Sequence, residues 1–201
     1  MAATESGTYR VFESDRDGPD LLLVERGSEE PLSVRTEGYD EPLASTVAGL
    51  RPGNLIDATL SWGAEGPPAF AEVDVRTETL FAFVDGVPDV FEEARTTFEQ
   101  GKREHMPIYS NVTYDPDGEP NGAIYTVAKQ QGETDVFADL STGRLTMEPM
   151  LEKLGEGGAE PPYEAFVLRP VDDPFVVVYF VLEKGGQLAE TMRREYDCPR
   201  E

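Results

Sequence analysis

The segment 54–62, NLIDATLSW, alternates apolar and polar residues, and this alternation constrains the possible folds more than any other feature of the chain. Because side chains alternate across a strand, its apolar residues share one face: Ile56, Ala58, Leu60 and Trp62. A strand with one apolar and one polar face is typical of an antiparallel sheet that buries one side. We therefore expect at least some of the core to lie on such a sheet.

Further strand-like segments precede and follow this one, at 8–14, 21–27, 32–39 and 69–84. The last segment is long enough for one long strand or two short strands. Turn-forming residues separate the segments, and the first turn is DRDGPD at 15–20. Short strands at this spacing indicate an antiparallel barrel or sandwich. Residues 1–86 are therefore predicted to form an antiparallel β region, with a small barrel as one arrangement.

Residues 86–105 contain the most regular predicted helix. Apolar residues recur there at helical spacing: Val90, Phe91, Ala94 and Phe98. Pro88 fits the first turn of a helix, where its missing N–H costs nothing. Pro107 favours an extended conformation for Met106, so the helix ends by that point.

The remaining segments predict two β-hairpins and two further helical regions. One hairpin joins 108–114 to 123–129, and the other joins 163–169 to 175–184. Helices are predicted near the end of 134–154 and at 187–196. The chain as a whole is predicted to be α+β: an antiparallel β region at residues 1–86 precedes an α+β region at residues 87–201, which has two hairpins and two to three helices. These regions form either two domains or one continuous unit.

The charge of the chain is strongly acidic, since 40 Asp and Glu oppose 17 Lys and Arg for a net charge of −23. Lysine is scarce, with 4 residues against 13 arginines. Such a surface is typical of extreme halophiles, because molar salt reduces the Debye length to about 3 Å and screens the repulsion between carboxylates. A protein of ordinary salt with a basic partner is the alternative. A disordered acidic tail is excluded, since acidic residues and apolar runs extend through the whole chain.

Several classes of protein are disfavoured by missing sequence features. No apolar run approaches the length of a transmembrane helix, and the first ten residues lack the pattern of a signal peptide. The single cysteine, Cys198, allows no internal disulfide. We therefore expect a soluble cytoplasmic protein without a membrane partner, for which an oligomer remains open.

A basic cluster at the end of the predicted helix has two interpretations. Lys102, Arg103 and the only histidine, His105, lie within four positions. Cations in the last turn of a helix interact favourably with its macrodipole, which is a purely structural role. The cluster is also the best place in this chain for an anionic ligand or a nucleic acid. The candidate ligand-binding residues are Lys102, Arg103, His105, Tyr109, Asn111 and Lys129.

Signals for catalysis and cofactors are weaker. His105 is a candidate general acid or base, but no G-x-S-x-G element accompanies it, so a hydrolase is the alternative hypothesis and an enzyme is disfavoured. The turn DPDGEPN at 115–121 has acidic residues at alternate positions without the spacing of a calcium loop. One histidine and one cysteine are too few for an ordinary zinc site. No glycine-rich phosphate motif is present, so no metal and no cofactor are predicted.

Two resemblances complete the analysis. LRPGNLIDATLSW, residues 50–62, is similar to the entry into a strand in small nucleic-acid-binding barrels of the OB and TRAM kind. Three segments, together with most of the chain, resemble a family of haloarchaeal proteins with no assigned function: NVTYDPDGEPNGAIYTVAKQ at 111–130, DVFADLSTGRLTMEPMLEKL at 135–154 and FVLRPVDDPFVVVYFVLEKGGQLAETMRREY at 166–196. The second resemblance implies a haloarchaeal origin and carries no activity or ligand with it. The resulting hypothesis is a non-enzymatic binding or interaction module for an anionic ligand or nucleic acid.

The halophilic interpretation predicts a strong dependence of folding on salt. We expect the melting temperature to be higher in molar KCl than in dilute buffer, because repulsion among the surface carboxylates is then screened. Thermal unfolding followed by circular dichroism at both salt concentrations tests this expectation. A melting temperature that is the same in the two solutions contradicts it.

Overall fold

A computed structural model describes residues 3–14, 20–64, 66–129, 132 and 135–198. The turn predicted at 15–20 lies outside these residues, apart from Asp20. The chain divides into two compact units, Met1–Leu80 with Asp139–Glu152 and Phe81–Ala138 with Lys153–Glu201. The first unit therefore combines two separate stretches of sequence. The sequence predicts regions 1–86 and 87–201 that fold either as two domains or as one continuous unit. This division stays a prediction.

The first unit contains five strands and a short helix: β1 (Ala3–Glu13), β2 (Asp20–Glu25), β3 (Pro31–Arg35), α1 (Leu43–Ala48), β4 (Leu55–Trp62) and β5 (Ala69–Thr77). The strands form one antiparallel sheet in the order β3-β2-β1-β4-β5. The alternation in β4 is confirmed for Ile56, Ala58 and Leu60, which are buried in the core on one face. Trp62, at the end of the strand, is 37% exposed.

This sheet does not form the barrel that was one predicted arrangement. In the described residues of the chain, β3 and β5 are the two ends of the sheet and no ladder closes it. A backbone hydrogen bond joins the end of β3 to the residue before β5: the Arg35 N–H donates to the Pro68 carbonyl at 3.1 Å. β3 has five residues and begins at Pro31, which has no N–H to donate. Too few backbone groups are therefore available for a closing ladder.

A largely buried ion pair connects the two stretches of the first unit. Arg10 on β1 donates to Glu148 from Nε at 2.6 Å and from Nη2 at 3.0 Å. Its Nη1 donates to the Gly53 carbonyl at 2.8 Å. The Arg10 side chain is 8% exposed and that of Glu148 is 17% exposed. Because a buried cation needs a partner, the arginine on β1 depends on an acid that lies far along the chain.

The second unit is built on the strands β6 (Leu80–Val87), β7 (Ile108–Tyr114), β8 (Pro120–Ala128), β9 (Glu164–Pro170) and β10 (Phe175–Val181). They form a second sheet in the order β6-β9-β10-β8-β7. The two predicted hairpins are confirmed as the antiparallel pairs β7–β8 and β9–β10. The segment 69–84 gives two strands, and the second of them, β6, belongs to this sheet and not to the first.

In the part of the chain that the structure describes, five helices complete the α+β fold, and four of them follow β6. They are α2 (Glu92–Arg103), α3 (Val136–Thr142), α4 (Glu148–Glu156) and α5 (Gln187–Glu195). The division between the units falls inside α3 and inside α4. Among the described residues, no helix is long and apolar enough to cross a membrane.

The central strand β10 is buried on both faces, as its apolar sequence predicts. One face of β10 shares a core with residues of α2 and α5. This core includes Ala94, Phe175, Val177, Tyr179, Val181, Ala189 and Met192. The rings of Phe98 and Phe175 stack there with centroids 4.4 Å apart. The two helices are therefore fixed on the same face of the second sheet.

α2 begins later than predicted. Its first residue is Glu92, and Phe91 before it is extended, with φ −62° and ψ 153°. Pro88 therefore does not occupy the first turn of the helix. The Phe91 ring instead packs against Tyr179, with centroids 5.2 Å apart. Burial of this aromatic ring outweighs the modest preference of the preceding residues for a helical start.

The packing of α2 on β7 predicts an unusual effect of substituting Gly101 by alanine. A Cβ at residue 101 would lie 2.6 Å from Cβ of Tyr109, well inside van der Waals contact. We expect Gly101→Ala to lower the free energy of unfolding by about 1–3 kcal/mol through overpacking. Helix propensity alone would raise it by about 0.8–1 kcal/mol.

Urea denaturation of the wild type and Gly101→Ala measures the sign of this difference. Glu99→Ala is the matched control, because Glu99 is exposed on the same helix. A Gly101→Ala variant as stable as the wild type would show that α2 and β7 do not approach so closely.

Candidate functional site

A groove of about 860 Å³ lies on the helical face of the second unit. Its volume is within the usual range of small-molecule sites, about 300–1,000 Å³. The lining residues come from α2, α5 and the three strands β7, β8 and β10, together with their flanking residues. They are Phe91, Glu92, Glu93, Thr96, Thr97, Gln100, Asn111, Val112, Thr113, Tyr114, Asn121, Ile124, Tyr179, Leu188, Thr191, Met192, Glu195 and Tyr196.

Helical spacing explains how α2 and α5 supply the two walls. Residues three and four apart lie on one face of a helix. α2 lines the groove with Glu92, Glu93, Thr96, Thr97 and Gln100, and α5 with Leu188, Thr191, Met192 and Glu195. Residues near the sheet, such as Thr97 and Met192, are buried, whereas the glutamates are exposed. The walls are therefore polar and acidic at the rim and more apolar below.

Tyr179 provides an aromatic surface with a fixed hydroxyl at the base of the groove. Thr113 Oγ1 donates to Asn121 Oδ1 at 2.8 Å and lies 3.0 Å from the Tyr179 hydroxyl. Since Thr113 has one hydroxyl proton and gives it to Asn121, Tyr179 is the donor of the second bond. Burial, followed by the nearby Glu93 carboxylate, raises the pKa of Tyr179 above its ordinary value, so the hydroxyl is neutral at pH 7.

Gly122 makes room for this tyrosine. A Cβ at residue 122 would lie 2.7 Å from Cε2 of Tyr179 and 2.8 Å from Oγ1 of Thr113. Any larger residue would therefore displace the ring or the hydroxyl that holds it. The position of the aromatic base depends on a glycine in the neighbouring strand.

Tyr196 adds a second phenol at the end of α5. Its hydroxyl accepts a hydrogen bond from the Phe91 N–H at 3.2 Å. This bond supplies a partner to a backbone donor next to the start of α2. Burial is the largest cause that raises the pKa of Tyr196. Phe91, Tyr179 and Tyr196, together with the exposed Tyr114, give the groove four aromatic rings.

The charge of the groove is negative. Its lining includes three exposed glutamates, Glu92, Glu93 and Glu195, and no lysine, arginine or histidine among the described residues. Arg95, on the same helix as Glu92 and Glu93, bonds instead to Asp89 and lies 3.4 Å from Asp173. The groove is therefore suited to neutral or cationic molecules and not to anions.

The predicted basic cluster lies at the end of α2. Lys102 and Arg103 occupy the last turn, and Glu92 and Glu93 occupy the first, as the macrodipole favours. Lys102 Nζ lies 3.8 Å from Oε1 of Glu99. All three basic residues, including His105, are exposed. None of them lines the groove.

His105 ends the helix through its backbone. Its φ is 56°, a left-handed conformation that is uncommon outside glycine. The Met106 N–H donates to the Gly101 carbonyl at 2.9 Å, and the His105 N–H to the Lys102 carbonyl at 3.3 Å. These two bonds form the Schellman motif with the histidine at its left-handed position. The geometry gives His105 a structural role through its backbone conformation, which differs from the electrostatic role that the sequence suggested for the cluster.

The other predicted residues are held by separate partners. The Tyr109 hydroxyl donates to Glu104 at 2.9 Å, and this bond raises the pKa of the tyrosine. The Asn111 amide donates to Gln100 Oε1 at 2.6 Å and to Thr97 Oγ1 at 3.1 Å. Asn111 is the predicted residue that lines the groove.

Lys129 lies after β8 and contacts the turn between β9 and β10. Its ammonium donates to the carbonyls of Asp173 at 3.1 Å and Pro170 at 3.4 Å. These contacts differ from those of the helix end. The structure therefore distributes the six predicted residues over several local environments.

The remaining chemical candidates are held in structural contacts. Asp115 Oδ1 accepts the backbone N–H groups of Asp117 and Glu119, each at 2.9 Å, so the acidic turn is closed by its own aspartate. Cys198 is buried, and burial raises the pKa of its thiol. Within the described ranges of the chain, no group of three His, Cys, Asp or Glu residues is arranged to hold a metal.

The left-handed backbone at residue 105 predicts a stabilising substitution. We expect His105→Gly to raise the free energy of unfolding by about 1 kcal/mol, because glycine adopts this conformation without a steric cost. Thermal and urea unfolding of the two proteins measure the change. His105→Ala is the control, since alanine removes the imidazole and keeps the strain. An equal gain in both variants would attribute the effect to the side chain.

Comparisons with known proteins identify the family of the chain. No curated protein and no solved structure matches it. A family model matches residues 1–201, which is the whole sequence. The chain therefore belongs to the family of unknown function DUF6663.

Proposed function

We propose that this protein is a non-enzymatic binding module whose ligand is a small organic cation with an apolar body. The observation that carries the proposal is the groove of the second unit, which combines four aromatic rings with three glutamates and no cationic side chain among the described residues. An ammonium group fits such a lining, because carboxylates and aromatic faces both attract positive charge.

The aromatic residues support the apolar portion of this ligand. The Phe91 and Tyr179 rings are 5.2 Å apart and tilted by 34°, so they offer one continuous hydrophobic surface. Ile124 and Met192 are buried beside them in the same core. A methionine adapts its shape to different apolar groups. The lining therefore suits a flat or branched hydrocarbon group next to the charge.

The acidic rim supports the choice of a cation over an anion. Glu93 lines the groove from the wall that α2 supplies. Glu195 lies on the opposite wall, on α5. A cation between the two walls would be attracted by both carboxylates.

The fixed phenols support hydrogen bonding to the ligand. The proton of Tyr179 is donated to Thr113, which leaves the phenolic oxygen as an acceptor. The Tyr196 oxygen accepts from the Phe91 N–H, so its own proton is available for donation. Each phenol hydroxyl is already oriented by its hydrogen bond before a ligand binds, which lowers the entropic cost of binding.

Binding of benzyltrimethylammonium chloride tests this proposal. The probe carries an aromatic ring and a permanent charge, and Met192 offers a local signal in the groove. We expect the probe to shift the ¹³C-methyl resonance of Met192, identified by its loss in Met192→Leu. The methyl resonance of Met147, which belongs to the first unit, should not move.

Removing groove charge should weaken this binding. We expect the pair Glu93→Gln and Glu195→Gln to raise the dissociation constant about three- to tenfold, as two partly exposed charge contacts are lost. The pair Glu99→Gln and Glu190→Gln is the matched control, because it removes the same charge from the same two helices outside the groove. If both pairs of substitutions raised the dissociation constant equally, the net charge of the protein, and not the two groove glutamates, would account for the loss of affinity.

Benzenesulfonate discriminates between this site and an anion site at the basic cluster. The groove should bind the sulfonate more weakly than the ammonium probe, since both share a ring and differ in charge. Tighter binding of the sulfonate contradicts the proposal. If the pair Lys102→Ala and Arg103→Ala abolishes that binding, the anion site at the helix end is supported instead.

A further inference from the structure

β7 is an edge strand with an unusual sequence for this chain. It ends the order of the second sheet, with β8 on one side. The stretch 106–114, MPIYSNVTY, has no charged residue in a chain of net charge −23. Several of its large apolar side chains are exposed, namely Met106 at 50%, Ile108 at 46%, Val112 at 51% and Tyr114 at 60%.

The backbone of this strand has hydrogen-bonding groups directed away from the sheet. The Ala128 N–H donates to the Pro107 carbonyl at 2.8 Å, so residues 107, 109, 111 and 113 direct their polar groups towards β8 in the observed register. The intervening residues, Ile108, Ser110 and Val112, direct their N–H and C=O groups outward. Natural edge strands are usually protected by charges, prolines or bulges on the exposed strand. The interior of β7, from Ile108 to Tyr114, contains neither a charge nor a proline, and its register irregularity with β8 lies at the end of the strand, between Thr113 and Tyr114.

We propose that two copies of this chain pair through β7, antiparallel and about a two-fold axis beside Ser110. This register brings each outward-directed residue opposite another one, so both strands exchange N–H and C=O groups. Ile108 then lies beside Val112 of the partner subunit. Met106 lies beside Tyr114 of the partner subunit. The exposed apolar side chains become self-complementary cross-strand pairs.

The side chains on the two faces of β7 agree with this arrangement. Tyr109, Asn111 and Thr113 face the helices, as their contacts with Glu104, Thr97 and Tyr179 show. Ile108, Ser110 and Val112 alternate with these residues along the strand, and the pairing would align them in a row. Val112 and the following Tyr114 also border the groove. The strand keeps its helix-facing contacts when its free edge is covered.

Charge at the two ends of β7 favours a second copy of the same chain. The basic residues Lys102, Arg103 and His105 precede the strand, and the acidic turn with Asp115, Asp117 and Glu119 follows it. An antiparallel pair brings the basic end of one copy towards the acidic turn of the other, twice across the axis. Two strongly acidic molecules would repel each other elsewhere on their surfaces, and the uncharged strand with these flanks provides a complementary approach. The pairing needs no ligand in the groove, although it involves Val112 and Tyr114, which also line the groove.

Sedimentation equilibrium in molar KCl tests the proposal through the mass of the particle. We expect the wild type to reach twice the chain mass of 22.2 kDa. Ser110→Pro removes one outward N–H per copy and should give a monomer, while an edge position tolerates the proline. Ile108→Lys should also give a monomer, since the lysine meets an apolar partner. Ile108→Lys combined with Val112→Asp should restore the dimer, because each lysine then faces an aspartate.

The controls make each outcome decisive. Val171→Lys changes an exposed valine outside β7 and should remain dimeric. Circular dichroism reports whether Ser110→Pro stays folded, and the exposed Ile108→Lys provides a second monomeric variant if it does not. A wild type that is monomeric throughout, or a dimer that both Ser110→Pro and Ile108→Lys leave intact, overturns the proposal. Failure of the double variant to restore the dimer overturns the assigned register.

Discussion

Burial of both faces of β10 is the constraint on which the second unit depends. All seven residues from Phe175 to Val181 are buried, and each large apolar side chain removed from water contributes about 1.5–3 kcal/mol before entropy is counted. α2 and α5 cover one face of this strand. Tyr179, on this face, lines the groove that the two helices and β7 border. The site is thus a place where the layer over the central strand is incomplete.

Much of the fold follows from periodicity in the sequence. The alternation in β4, the two C-terminal hairpins and the apolar run of β10 predict strands that the structure confirms. Predictions fail where a contact between distant parts of the chain determines the local structure. The start of α2 is displaced because Phe91 packs on Tyr179, which is far along the chain. The barrel does not form because closure depends on the short β3, and strand alternation carries no information about the opposite edge of a sheet.

The candidate site is harder to predict because its components are scattered. Phe91, Tyr179 and Tyr196 each look like ordinary core residues, and only the tertiary fold brings them to one groove. The basic cluster is conspicuous in the sequence because cations are rare there. In the structure its most evident contribution is to the end of a helix, through the charge of Lys102 and Arg103 and the backbone of His105. The scarcity of cationic residues in the sequence therefore drew attention to a helix-ending motif more readily than to a ligand site.

The ion pair between Arg10 and Glu148 also bears on the order in which the chain folds. A ribosome releases β1 long before residue 148, so the arginine emerges without its acidic partner. During that interval the N-terminal sheet lacks both this counter-charge and the rest of Asp139–Glu152, which complete its unit. β1 is consequently synthesised well before it can reach its final state. Synthesis from the N-terminus to the C-terminus produces Asp139–Glu152, which completes the first unit, only after most strands of the second sheet.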